Sequence, residues 1–314
     1  AAQRYGIDWK KKMMFQLLAS KWKMSTSAWF GKWARNMFGG PWIESKLNAG
    51  ALNVERIPPF NDKPFAATVP EVVKPEGKAK ARVLYFHGCA TNYLYGAIGQ
   101  AVVDVLKKMG VEVIIPKGQS CCGLPIFMSG ERETSLRCIR DTLKLFARED
   151  VDAVVVDCAT CGAALKNEYA HLLSDLRQLG EEVSDGEIAA AELLASKLKD
   201  VTVFIDEHKE WLPKMKANGH KLRVTYHDPC HLVKGQKISA QPRRTGDRRG
   251  HRWDNWLRTI RKEGRWRRMP PSHPRITPDC LRKDGGRAVL SPAALPLPAG
   301  PLCRPGNGRC TNRT

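Results

Sequence analysis

The sequence predicts an α/β fold in which helices flank a parallel sheet. Between about residues 81 and 158, short runs rich in β-branched residues alternate with longer runs whose apolar residues recur at helical spacing. Such alternation is typical of doubly wound parallel sheets. We expect an α-helical segment before this region, and after it a disordered tail that lacks the apolar periodicity needed for a core.

Residues 1–70 are helical in pattern and hold five of the nine tryptophans, with lysines beside them. A basic, Trp-rich amphipathic stretch can pack on its own domain, dock on a partner subunit, or associate peripherally with a membrane. Five prolines fall within residues 57–80, which predicts an extended linker.

Residues 71–218 are predicted to form the main domain, with strands at ARVLYF, VEVIIP and VDAVVVDC. One helix is expected between the first two strands, closed by Gly110, and another between the second and third strands. Each strand runs into a cysteine motif, and ligand sites in such sheets form beyond the carboxyl ends of the strands. The three motifs are therefore expected to converge on one edge.

A repeat divides the chain further. RVLYFHGC (residues 82–89) and RVTYHDPC (residues 223–230) share Arg-Val, a Tyr at the fourth position and a Cys at the eighth, so residues 219–241 are interpreted as the start of an incomplete second unit. Residues 242–314 then become rich in Arg, Pro and Gly. We expect this tail to be disordered, and hypothesise that it is translated from a GC-rich coding region in a shifted frame.

Charge and composition exclude several classes of protein. The net charge is +20, but residues 242–314 carry 16 Arg and 2 Lys against 5 acidic residues, so most of the excess lies in a tail without a nucleic-acid-binding fold. No nucleic-acid partner is expected. Every apolar run is too short to span a bilayer, and the ten cysteines lack the small secreted setting of a disulfide framework. We expect a cytoplasmic protein, held at the membrane face, if at all, through a partner.

Five cysteines carry the candidate chemistry, with the spacing C-x31-CC-x35-C-x2-C. They are Cys89, Cys121, Cys122, Cys158 and Cys161. Thiolates are soft ligands that select iron–sulfur clusters, zinc or copper(I). A tetrahedral zinc site takes four ligands, so five thiolates favour a cluster, with zinc on four of them as the alternative.

Several neighbours complete the candidate site. Gly88, Gly123 and Gly162 would let the backbone approach the metal centre and offer N–H groups to its sulfurs. His87 is predicted either to tune the centre or to make a structural hydrogen bond. Cys230 is a possible additional ligand.

Three further groups of residues are predicted to have no role at the metal centre. Cys138 recurs at helical spacing with apolar residues, which predicts a core position. His227 and His231 are expected to make structural hydrogen bonds, and the tail cysteines Cys280, Cys303 and Cys310 are interpreted as incidental.

CCGLP, the FHGCATNY opening and CATCGAALKNEY resemble the cysteine-rich CCG domain. This domain occurs in iron–sulfur subunits of heterodisulfide reductase, glycolate oxidase and anaerobic glycerol-3-phosphate dehydrogenase. The resemblance covers about residues 45–241. It implies a relay of electrons between a flavoprotein dehydrogenase and a quinone or thiol acceptor. It also implies a [4Fe-4S] cluster, non-cubane in some members, on the same five cysteines here.

Two departures from the family pattern stand out. The ferredoxin motif C-x2-C-x2-C-x3-C-P of the family does not occur, so we expect the N-terminal ferredoxin-like module to be missing, and only Cys230 remains of the second cysteine site.

The sequence thus predicts an electron-transfer subunit of an oxidoreductase linked to a 2-hydroxy acid, glycerol 3-phosphate or a heterodisulfide. Cleavage of a disulfide at an open iron position is a second hypothesis. A zinc-bound or metal-free assembly subunit that docks a redox partner is the alternative.

Overall fold

The larger sheet of the protein has five strands in the order β1-β3-β2-β4-β5. A computed structural model describes residues 9–20, 61–213, 223–247, 252–254 and 287–290. The strands are β1 (Val72–Val73), β2 (Ala81–Phe86), β3 (Val111–Ile114), β4 (Ala153–Val156) and β5 (Leu198–Asp200). The predicted α/β class, with a mostly parallel sheet and flanking helices, is confirmed.

Strands β3, β2, β4 and β5 are parallel, and β2 lies in the middle of the first three. Its Val83 pairs with Val113 of β3 on one side and with Ala153 of β4 on the other. Parallel strands need crossover connections, and the helices between these strands supply them. The three strands therefore end at the same edge of the sheet.

Helices cover both faces of this sheet. The α-helices of this part are α1 (Trp9–Ala19), α2 (Phe65–Thr68), α3 (Gly88–Tyr93), α4 (Gly96–Lys108), α5 (Leu124–Met128), α6 (Arg132–Phe146), α7 (Ala159–Ala163), α8 (Tyr169–Gln178), α9 (Asp185–Lys197) and α10 (Val201–Glu207). A π-helical turn, Ala164–Glu168, joins α7 to α8, and a 3-10 turn, Lys209–Trp211, follows α10. The predicted end of α4 at Gly110 is confirmed, with φ +85° there.

The alternation of side chains along each strand divides the core into two halves. Leu84 and Phe86 of β2 pack with α6, α8 and α9 on one face, whereas Val83 and Tyr85 pack with α4 and α10 on the other. All four are fully buried. Burial of each such side chain stabilises the fold by about 1.5–3 kcal/mol. Because helices cover both faces of the sheet, each strand is a nearly continuous apolar run in the sequence.

The stretch predicted as an extended linker is more structured than the sequence suggested. Phe65 begins helix α2 and is buried, with its ring packed edge-on against Tyr85 and His87. Strand β1 then pairs antiparallel with β3 at the sheet edge. Burial of the Phe65 ring and pairing of β1 with β3 therefore hold this proline-containing segment on the domain.

A second, three-stranded parallel sheet has the order β7-β6-β8, with β6 (Arg223–Tyr226), β7 (Arg252–Asp254) and β8 (Arg287–Leu290). Strand β6 occupies the position that the repeat predicts for a second unit, and Cys230 follows it at the start of a π-helical turn, His231–Gly235. The predicted boundary between residues 218 and 219 lies outside the described residues.

The tail predicted to be disordered from residue 242 contains three described elements. Helix α11 (Ala240–Asp247) runs across the predicted boundary at residue 241, and β7 and β8 pair with β6 further on. Arg243 and Arg244 of this helix form ion pairs with Asp228 and Asp206, which tie the helix to earlier parts of the chain. The other tail residues, including the three tail cysteines, lie outside the described residues.

Of the Trp-rich segment, the structure describes α1, which packs Phe15 and Ala19 into the core and leaves Trp9 exposed. The other four tryptophans of residues 1–70 lie outside the described residues. Within the described ranges, no helix combines the length and the apolar composition needed to cross a bilayer.

We expect Ser184→Ala to lower the free energy of unfolding by about 1 kcal/mol. Ser184 caps α9: its Oγ accepts from the Glu187 N–H, and the Glu187 carboxylate accepts from the Ser184 N–H. Urea denaturation measures the change. Ser196→Ala, at an exposed site inside the same helix, is the control and should be neutral or slightly stabilising. Equal effects of the two substitutions would contradict the capping assignment.

Candidate functional site

The five predicted cysteines lie on the three loops that leave the carboxyl ends of β2, β3 and β4. Cys89 is in the first turn of α3, directly after β2. Cys121 and Cys122 stand between β3 and α5, and Cys158 is the residue before α7, which contains Cys161. Because the three strands are parallel neighbours, these loops meet at one edge of the sheet.

The five thiols interact in neighbouring pairs. Cys89 has Cys121 as its side-chain partner, and Cys121 has Cys122 as its next partner. Cys161 interacts with Cys122 on one side and with Cys158 on the other. Every loop is thereby linked to the next through sulfur, although up to 35 residues separate neighbouring motifs in the sequence.

Burial differs along this chain of thiols. Cys121, Cys122 and Cys161 are buried in the core half that faces α6 and α8, whereas Cys89 and Cys158 are only partly buried. The site therefore has an inner side, with three buried cysteines, and an outer side, with two partly buried ones.

Thiolate charge is supported at two of the five positions. The pKa of Cys122 is lowered, first through its side-chain hydrogen bond with Cys121 and then through that with Cys161. The pKa of Cys158 is lowered to about 7, first through its side-chain hydrogen bond with Cys161. The pKa values of Cys89 and Cys121 are raised, in each case first through the side-chain hydrogen bond with the next cysteine. The set behaves as a coupled group of donors and acceptors.

Backbone N–H groups also point at the sulfurs. The N–H of Leu124 contacts Cys122, and the N–H of Gly123 contacts Cys121. Cys158 receives the N–H groups of Thr160 and Cys161 at the start of α7. Backbone donors of this kind stabilise thiolate charge, and they are one of the means by which proteins tune metal–sulfur centres.

Two of the predicted glycines are in tight places beside the cysteines. Gly88 has φ +62°, and a Cβ there would lie 3.3 Å from Cys161 Sγ. Gly123 has φ +80°, and a Cβ there would lie 3.2 Å from Cys138 Cβ. Both positions therefore favour glycine by conformation and by space. Gly162 is in α7 and contacts a later part of the chain, described below.

His87 is buried between Phe65 and Tyr85. Its Nδ1 lies 2.8 Å from the Gly88 carbonyl oxygen, so Nδ1 carries the proton, and its Nε2 is buried without a hydrogen-bond partner. Burial lowers its pKa to about 4. Of the two predicted roles, the hydrogen bond to Gly88 matches the structural one.

The remaining cysteines of the prediction are separated from the five. Cys138 is fully buried in α6, as expected for a core residue, and burial raises its pKa to about 11. Cys230 is exposed, with its Sγ 3.6 Å from His231 Nδ1. In the described part of the chain, Cys230 is not a member of the thiol chain.

The donor set fits a metal–sulfur centre. Neighbouring thiols interact in pairs across the three loops, backbone donors face the sulfurs, and glycine at position 88 leaves room beside Cys161. Across the described residues, no group of three or more His, Cys, Asp or Glu side chains has the arrangement that would hold a single metal ion.

A protein-family model for a cysteine-rich domain, CCG, matches residues 83–166, the stretch that contains all five cysteines. This stretch is a CCG domain. The resemblance inferred from CCGLP and CATCGAALKNEY is confirmed.

Three curated relatives share this region. An uncharacterized iron–sulfur protein of Methanocaldococcus jannaschii is 34% identical over 206 residues, which cover 65% of this chain and 37% of the relative. A fumarate reductase (CoM/CoB) subunit of Methanothermobacter marburgensis is 34% identical over 166 residues, covering 52% and 28%. A probable glycolate oxidase iron–sulfur subunit of Bacillus subtilis is 32% identical over 203 residues, covering 60% and 43%. The chain spans less than half the length of these relatives.

Sequence reasoning missed a buried carboxylate in the CCG domain. Asp157 Oδ2 accepts hydrogen bonds from Tyr85 Oη at 2.9 Å and from Thr91 Oγ1 at 2.7 Å, and burial raises its pKa to about 6. It joins the end of β4 to the end of β2 and to α3, so it fixes the Cys158 loop relative to the Cys89 loop. The DC pair at the end of the third strand was a signal that could have revealed it.

Two further polar residues brace the cysteine loops. Gln119 accepts from the His87 N–H and donates to the Tyr85 carbonyl, which holds the loop before Cys121 against the end of β2. Tyr169 Oη donates to the Cys122 carbonyl at 2.8 Å. Their partners are backbone groups of distant loops, and no local sequence pattern indicates such pairing.

In the reduced, metal-free CCG domain, alkylation of Cys158 by iodoacetamide should rise with pH around a midpoint near 7 and then level off. The thiolate is the nucleophile, and the pKa of Cys158 is lowered to about 7 whereas that of Cys138 is raised to about 11. Mass spectrometry of labelled peptides measures both rates in one sample. Cys138 serves as the internal control and should stay unlabelled below pH 9. A Cys158 rate that keeps rising tenfold per pH unit above pH 8 would contradict the lowered pKa.

Proposed function

We propose that this chain is an electron-transfer subunit of an oxidoreductase and that its CCG domain holds an iron–sulfur cluster on five cysteines. The proposed ligands are Cys89, Cys121, Cys122, Cys158 and Cys161. The observation that carries the proposal is the set of pairwise thiol interactions across three loops at one edge of the parallel sheet. The curated relatives with iron–sulfur in their names support it.

The proposed cluster is of the [4Fe-4S] type. A cubane cluster takes four cysteines, so five cysteines on three adjoining loops support a non-cubane arrangement. Such a cluster would supply reversible one-electron oxidation and reduction.

The protein residues have separate tasks in this proposal. The buried thiolates and the facing N–H groups of Leu124 and Gly123 hold and stabilise negative charge. The core around Cys122 and Cys161 excludes water. Electrons enter or leave on the outer side, through the partly buried Cys89 and Cys158.

The partner is proposed to be a second redox subunit, a flavoprotein dehydrogenase, that carries out the organic chemistry. One relative is named as a subunit of a fumarate reductase and another as a glycolate oxidase subunit, which supports a place within a larger complex. The complex as a whole would act on a 2-hydroxy acid, glycerol 3-phosphate or a heterodisulfide.

Anaerobic purification of the full chain, or reconstitution with iron and sulfide, should give about four iron and four sulfide per chain. Cys161→Ser should lose most of this iron, because the Cys161 thiol interacts with both Cys122 and Cys158. Metal analysis, sulfide determination and EPR spectroscopy measure the outcome.

Cys303→Ser, at a tail cysteine without a role at the proposed cluster, is the matched control and should keep its iron. Stoichiometric zinc without iron would reject the cluster and favour the alternative of a zinc-bound assembly subunit. Loss of iron in both variants to the same extent would reject the five-cysteine assignment.

A further inference from the structure

The segment that opens the second unit packs directly on the helix that carries Cys161. Residues 229–238 form a π-helical turn and its flanks, in which Leu232 and Ile238 are buried. The fit against α7 is close: a Cβ on Gly235 would lie 3.1 Å from the Cβ of Ala163. Two parts of the chain about 70 residues apart thus share one packed surface.

Gln236 makes the specific polar contact across this surface. Its side chain is 8% exposed, and its Nε2 donates to the carbonyl oxygen of Ala159 at 3.0 Å. Ala159 lies between Cys158 and Cys161, so this hydrogen bond is made to the turn that presents both sulfurs. The Oε1 of Gln236 is buried without a partner, which shows that the side chain is held by its Nε2 bond and by packing.

Gly162 explains how the Gln236 side chain comes so close. A Cβ at position 162 would lie 2.6 Å from Gln236 Nε2 and 2.9 Å from its Oε1. Contacts this short do not occur, so the glutamine could not lie there beside any larger residue. Gly162 is predicted to let the backbone approach the metal centre, and in the structure it also leaves space for a side chain from the second unit.

Additional contacts fix the segment in this position. Asn167 Nδ2 donates to the Gly235 carbonyl, and His231 Nδ1 lies 3.4 Å from Thr160 Oγ1. On the far side, Arg243 binds both carboxylate oxygens of Asp228 at 2.8 and 2.6 Å. The segment that carries Gln236 is therefore held by contacts on both sides of this residue.

We propose that Gln236 is a positioning residue of the cysteine site: it fixes the turn Cys158–Cys161 from the second unit, so the first-unit site is complete only with residues 229–238 in place. As far as a cluster is concerned, this inference rests on the proposed function. The positioning itself is a property of the protein and is testable without metal.

Hydrogen exchange on the full chain tests the positioning. Gln236→Ala should accelerate exchange several-fold at the amides of α7, while the amides of β2 stay protected. Gln236→Glu keeps the size of the side chain but removes the Nε2 donor, so it should also accelerate exchange at the amides of α7. Gln178→Ala, at an exposed site at the end of α8, is the matched control and should leave α7 unchanged.

A double-mutant cycle with Gly162 tests the contact itself. Gly162→Ala alone should accelerate α7 exchange, because the new Cβ displaces the glutamine. In the Gln236→Ala background the same substitution should add little, since the Nε2 and Oε1 atoms are gone. Strictly additive effects would overturn the proposed contact, as would unchanged α7 exchange in Gln236→Ala or equal acceleration in α7 and β2.

Cluster properties give the second readout. Once iron is bound, Gln236→Ala should change the EPR line shape and speed the loss of iron to a chelator several-fold, whereas Gln178→Ala should do neither. Faster α7 exchange together with a chain that never binds iron would reject the proposed function and leave the positioning role intact. An iron-loaded Gln236→Ala chain with unaltered exchange, EPR and iron release would reject the positioning role and leave the cluster intact.

Discussion

The parallel pairing of β2 with β3 and with β4 is the constraint on which the site depends. Val83 pairs with Val113 and Ala153 in the same register, so the chain leaves all three strands at one edge. A cysteine follows each exit, two residues after β4, three after β2 and seven after β3. A shift of either neighbour along β2 would move one pair of sulfurs by about 3.3 Å for every residue of slip and would break the chain of thiol contacts. Strand register is therefore the property that sets the distances between ligands.

Hydrogen bonds from the polar residues around the cysteines hold the three loops in fixed positions. Asp157 ties the end of β4 to that of β2 through Tyr85, and Gln119 ties the loop before Cys121 to the same strand end. Tyr169, the first residue of α8, donates a hydrogen bond from its Oη to the Cys122 carbonyl oxygen. None of these residues is among the proposed ligands. Their buried hydrogen bonds keep the loops in place while the side chains of the cysteines remain available for a metal centre.

The sequence predicted the α/β class, the strands β2, β3 and β4 and the end of α4, because these depend on local patterns. That the five cysteines share one metal centre stays a prediction. Apolar runs of four to six residues followed by Cys are visible without a structure, and so is the repeat that places β6. The contacts of Gln236 with Gly162 and of Phe65 with His87 were not predictable. Each of these contacts joins two residues that are distant in the sequence, and no local sequence pattern indicates which residue is the partner. The same holds for α11, where two Arg–Asp pairs tie the helix to earlier parts of the chain.

The long separation in sequence between paired strands has a consequence for biogenesis. The Arg82 N–H donates to the Asp152 carboxylate, which is 70 residues later in the chain, so the pairing of β2 with β4 closes a long loop and is expected to form late. Until β4 docks, the thiols of three loops are exposed to one another and to oxidants, in combinations that can form non-native disulfides. Productive maturation would thus need reducing conditions first and metal delivery second, with the folded sheet acting as the template that selects which sulfurs meet.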